Sequence, residues 1–96
     1  MTARDAESAL LTRCAVVARE AEQSAQDQRE ANVFRLAAMV VRSRFPGESL
    51  CLMQASERYF ASHPNDRLAP EDVVRNGWIL SLPRLRDMLS HRLDGR

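Results

Sequence analysis

The cysteines and histidines of this sequence, Cys14, Cys51, His63 and His91, are its first candidates for nucleophilic, acid–base or metal chemistry. A thiolate is both a nucleophile and a metal ligand, and histidine changes charge near neutral pH. Their spacing does not assemble them. There is no CxxC pair, no HxxxH and no HExxH, so neither a zinc site nor a disulfide framework is expected. Each cysteine falls in a helical segment, where it packs as a small apolar residue. His63 precedes a proline in a loop, and His91 sits near the end of the last helix, where a cation complements the dipole. A G-x-S-x-G elbow and a glycine-rich phosphate loop are both missing, with three glycines in all. All fourteen basic residues are arginine, which excludes lysine Schiff-base chemistry. The expectation is a non-enzyme, with no catalytic residue, metal site or cofactor.

Composition narrows the class further. Ninety-six residues make one domain spanning 1–96. The formal charge is +1, and acids and bases are interspersed: seven arginines against six acids up to Phe45, six against five from Asp66 on. That is not the one-sided basic footprint of a dedicated nucleic-acid binder. The first residues, MTARDAESALL, lack the pattern of a signal peptide. The longest unbroken apolar run, Leu36 to Val41, is far too short to span a bilayer. A soluble, cytoplasmic chain is expected.

The elements that must position any site are helical. Glu30 to Phe45, the most apolar stretch, carries two adjacent stripes at helical spacing: Phe34, Ala38, Val41 and Phe45, beside Val33, Leu36, Ala37 and Val40. Two stripes need neighbours on two sides. The remaining line is Asn32, Arg35, Met39 and Arg42, with methionine the odd member of a polar row, either partly covered under the two arginine stems or part of a partner-binding strip. Before it, a first helix capped at Thr2 runs to about Gln23. Its line of Leu10, Leu11, Cys14, Val17, Ala18 and Ala21 is mostly small, allows close approach, and is the candidate self-association face of a homodimer. The polar segment Glu22 to Asn32 has no glycine or proline. Either it is helical, making a rod of about 40 residues and roughly 60 Å, or it turns near Ser24–Asp27, with Asp27 capping the next helix and Glu30 completing a box. The turn, giving a long N-terminal helical hairpin, is the preferred geometry.

Phe45-Pro46-Gly47 should end the central helix. A third helix follows from about Glu48 to Ser62, with Leu52, Met53, Ser56, Tyr59 and Phe60 on its apolar line and Leu50 alongside. His63–Asp66 reads as a loop. A short helix opens at Pro70 and stops at Gly77. Trp78-Ile79-Leu80 connects it to a last helix, capped by Ser81, with Leu82, Leu85, Leu89 and Leu93 in one stripe. Trp78 either plugs the core between the last two helices or forms a docking edge with Ile79 and Leu80 beside Arg84 and Arg86. The fold expected is an all-α bundle of four to five helices.

For such a chain the functional expectation is a small regulatory or adaptor protein. It would bind another protein through helical surfaces and inhibit it, as an antagonist of a transcription factor would. Candidate partner-binding residues are Arg35, Met39, Arg42, Tyr59, Trp78, Ile79, Leu80, Arg84 and Arg86, because aromatic and arginine side chains dominate interface energetics. The alternative is a helix-turn-helix at 70–93, with Arg84, Arg86 and Arg92 facing DNA. Asn76 before the turn glycine, Pro83 inside the second helix, and nearby acids weigh against it.

Overall fold

Helix α2, Gln28–Val41, is the centre of the molecule. Its buried residues include Val33, Phe34, Leu36, Ala37, Ala38 and Val41, so both expected stripes face the core, with Val40 half-buried and Phe45 half-buried beyond the helix end. The computed structural model describes Ala3 to Gly95. It contains five α-helices, α1 (Ala3–Arg19), α2, α3 (Pro46–Ser62), α4 (Pro70–Arg75) and α5 (Leu82–Leu93), with a 3-10 turn at Pro64–Asp66 and no strand among the described residues. The fold is all-α, and α2 packs against each of the other four helices. Nearly complete encirclement requires small residues, and Ala31, Ala37 and Ala38 let neighbours approach its axis.

The chain turns between α1 and α2. The overall extents are 35 × 30 × 23 Å, so no 60 Å rod exists. Helix α1 ends at Arg19, four residues before the expected Gln23, and its expected cap at Thr2 lies outside the described residues. The turn is clamped by α3 and α1. Arg58 of α3 donates to the carbonyls of Gln23 (2.6 Å) and Ala21 (2.8 Å). The Ala25 amide donates to the Ala55 carbonyl at 3.2 Å. Arg13 of α1 donates to Gln23 Oε1 and the Ser24 carbonyl.

Asp27 caps α2 as its position implies, its carboxylate accepting from the Glu30 amide at 2.8 Å. Glu30 reaches back one residue further than an ordinary capping box, accepting from the Gln26 amide at 3.1 Å. Its other oxygen lies 3.4 Å from Arg13 Nε, close enough for charge attraction but without hydrogen-bond alignment. Asp27→Ala should lower the unfolding free energy by about 1 kcal/mol, read as a lower urea midpoint at unchanged slope. A change within error would mean that the clamps, rather than the cap, start α2.

The self-association face expected on α1 is directed inward. Leu10, Leu11, Cys14, Val17 and Ala18 are buried in the chain's own core, while Ala21 lies beyond the end of α1 and is exposed. Their small size serves packing against α3 and α5. Glu7, one turn earlier, is buried too, and its Oε2 meets no hydrogen-bond donor among the described residues.

The second reversal also differs from expectation. Helix α2 ends at Val41, the amides of Arg44 and Phe45 bond to its carbonyl, and Pro46 is the first residue of α3. Proline therefore starts a helix here, its missing N–H costing nothing at that position, and Gly47 lies inside the first turn. Ser49 Oγ of α3 donates to the Ala38 carbonyl of α2 at 2.6 Å, tying the antiparallel pair at its closed end.

The last third follows its stop and start signals. Gly77 at φ +77° ends α4, its amide bonding to the Val74 carbonyl and that of Trp78 to the Val73 carbonyl, the paired arrangement that a left-handed residue permits. Ser81 caps α5, accepting from the Arg84 amide at 3.3 Å, and Leu85, Leu89 and Leu93 are buried. The pair departs from a helix-turn-helix. Helix α4 has six residues, and its main packing is on α2, whereas α5 packs on α1 and α2. Arg92 turns back to α1, donating to Thr12 Oγ1 (2.6 Å) and Ser8 Oγ (3.2 Å).

Candidate protein-binding groove between α2 and α3

Antiparallel α2 and α3 leave an open groove on their outer side, of about 480 Å³, lined by Ala38, Met39, Arg42, Pro46, Ser49, Leu50 and Met53. Its α2 wall is Ala38, Met39 and Arg42, and Arg35, one turn before Met39 on the same line, is not among the lining residues. Met39 is 53% exposed, Arg42 is exposed and Arg35 is half-buried. The arginine stems therefore do not cover Met39. The α3 wall was less legible. Leu50 flanks the buried line of that helix, and the structure leaves it 57% exposed. The signal that finds it is a second apolar stripe, Pro46, Leu50 and Met53, at steps of four and three residues. Large apolar side chains from two helices thus share one concave surface, with a single charged residue, Arg42, among the lining. Methionine side chains suit such a surface, being unbranched and adaptable in shape.

The expected docking edge at Trp78-Ile79-Leu80 is divided. Ile79 is buried, Trp78 is half-buried against the core, and Leu80 is 54% exposed. Arg84 and Arg86 are exposed. One connector residue is therefore free beside those arginines, and Trp78 packs on the core as the plug reading has it. Tyr59 is committed within the chain. Its hydroxyl donates to Asp66 Oδ2 at 2.7 Å, its ring stacks on His63 at 4.3 Å, and it meets Phe60 edge-on. The bond to Asp66 raises its pKa above that of an ordinary phenol. Asn32, expected on the polar line with Met39, is instead 1% exposed. It donates to the carbonyls of Gln28 and Asp66 and accepts from the Leu68 amide.

The chemistry-capable side chains remain dispersed. Cys14 is fully buried, and burial first, then the Glu30 carboxylate, raises its pKa far above the ordinary thiol range. It is held as a thiol and cannot act as a nucleophile in this state. Cys51 on α3 is free and partly exposed. Native protein is therefore expected to react with Ellman's reagent at one thiol. The second should appear only on denaturation, and raising the pH to about 9 should not release it. Two fast thiols would contradict the packing of α1.

His63 stacks on Tyr59, while His91 lines a separate groove between the end of α2 and α5, about 440 Å³ in volume. That groove mixes Arg44 and Arg86 with Asp87 and Asp94, and Arg44 pairs with Asp94 at 3.0 Å, so it presents no concentrated charge of either sign. No group of three or more potential metal ligands converges among the described residues, and no helix among them is long and apolar enough to cross a membrane. Compared with protein-family models, curated proteins and solved structures, the chain matches none.

Proposed function

We propose that this is a small non-enzymatic regulatory or adaptor protein that binds another protein at the α2–α3 groove and modulates it by masking a surface. What carries the reading is the pairing of half-exposed Met39 and Leu50 across one groove. Apolar side chains brought together by two helices offer a partner helix or loop a surface to bury. Inhibition is the simpler form of modulation, because covering a surface needs only contact.

The test is capture of partners from a lysate of the protein's own source, with and without nuclease, using the tagged chain and two variants. Met39→Asp should deplete a stoichiometric partner by about tenfold or more while leaving the urea midpoint nearly unchanged, since Met39 is half outside the core. Leu80→Ser should leave the partner bound. A partner equally retained by Met39→Asp would sink the groove. Capture that vanishes with nuclease would move the function to nucleic acid and to α4–α5.

A further inference from the structure

Met39 and Met53 line the same groove, one from each helix, while Met88 lies on α5. Their sulfur atoms are not equivalent. Met53 and Met88 are half-buried and pack on the core. The Met53 sulfur also accepts from Ser56 Oγ at 3.9 Å. Met39 is 53% exposed and stands outside the core cluster. A thioether is oxidised through a sulfur lone pair, so the reaction needs access from solvent. Met39 meets that condition best.

The place of a methionine decides what its oxidation does. A sulfoxide in a packed core disrupts the fold. Met39 lies on the open side of α2, away from its buried stripes, so its sulfoxide changes a surface and leaves the core filled. That surface is the groove wall, where Arg42 is the only charged lining residue. The new oxygen is a strong acceptor in an otherwise apolar contact. A partner's apolar side chain seated on it offers no donor, and burying an unpaired polar group is unfavourable.

Resting on the protein-binding reading above, we infer that Met39 is a reversible oxidation site at which a hydroperoxide switches the α2–α3 groove from binding to non-binding. With hydrogen peroxide, the Met39 sulfur attacks one peroxide oxygen, the O–O bond breaks and an S–O bond forms. Sulfur gives up two electrons to the peroxide. The proton of the transferred hydroxyl passes to the departing hydroxide, which leaves as water. Methionine sulfoxide reductases reverse the step.

The experiment treats the full chain with hydrogen peroxide in a Cys51→Ala background, so that the partly exposed thiol does not compete. Trypsin cuts after arginine and places Met39, Met53 and Met88 in separate peptides, 36–42, 45–58 and 87–92. Peptide 36–42 should gain one oxygen at least about threefold faster than the other two, with the urea midpoint nearly unchanged. Chain oxidised at Met39 should capture about tenfold less of the lysate partner, and regain it after treatment with sulfoxide reductases for both epimers. Met39→Leu keeps an apolar side chain that peroxide does not oxidise, and should retain the partner before and after treatment. Met39 oxidised no faster than Met88, capture unaffected by oxidation, or equal loss from treated Met39→Leu would each overturn the switch. If Met39→Asp still loses the partner in those cases, only this inference falls and the protein-binding reading stands. If the untreated chain captures no partner, that reading falls and the switch with it.

Discussion

Phe34→Ala is expected to lower the free energy of unfolding by about 4 kcal/mol, the middle of the range for emptying a buried phenylalanine site. Phe34 is wholly buried, the largest of the fully buried side chains, and lies on the helix that contacts every other helix. The cavity would open at the crossing of several elements, so no single neighbour can relax into it. A domain of this size has only about 5–15 kcal/mol in total, so the variant should be marginal at 37 °C. Urea unfolding followed by helical ellipticity measures the loss, with the slope unchanged if the transition stays two-state. A loss under about 1.5 kcal/mol would be typical of a peripheral site and would contradict the encirclement of α2. Met39→Ala on the exposed side of the same helix should stay within about 0.5 kcal/mol.

Asn32→Leu is expected to cost about 2 kcal/mol by a different route. The asparagine side chain satisfies the Asp66 carbonyl and the Leu68 amide, more than thirty residues away in sequence, besides the Gln28 carbonyl in its own helix. Leucine has the same heavy-atom branching and keeps the site filled but strands the Leu68 amide, while the Asp66 carbonyl keeps a second donor in Gln28 Nε2 at 3.2 Å. A buried unpaired group costs about 1–3 kcal/mol. Asn32→Asp sharpens the test. An ionised carboxylate would face two carbonyl oxygens, so the folded state favours the neutral acid and raises its pKa above the unfolded value. The variant should therefore be least destabilised in acid, where both states are protonated. It should lose stability progressively as the pH rises past the ordinary carboxylate range, and level off above the raised folded value. A pH profile parallel to wild type would mean that Asn32 does not hold this segment.

Much of the architecture was legible in the sequence because its signals are local. The caps at Asp27 and Ser81, the stop at Gly77 and the two stripes of α2 follow from side-chain oxygen placement, left-handed backbone and helical periodicity. These act within about one turn of chain. The groove was half legible: Met39 among arginines marks its α2 wall, while Leu50 was read as support for the buried line.

What the tertiary structure decided is everything that depends on a distant partner. The segment Glu22–Asn32 has no breaker residue, and its turn is held by Arg58 and the Ala55 carbonyl, both contributed by α3. Asn32 read as a member of a polar line and Tyr59 as a partner anchor on the apolar line of α3, yet each is bonded to the segment around Asp66. The small-residue line of α1 was compatible with a second chain, but α3 and α5 of the same chain cover it. Periodicity fixes which residues share a face, because that depends on the pitch of one helix. Which face is covered, and which left open as at Met39 and Leu50, depends on helices whose relative placement no local pattern encodes.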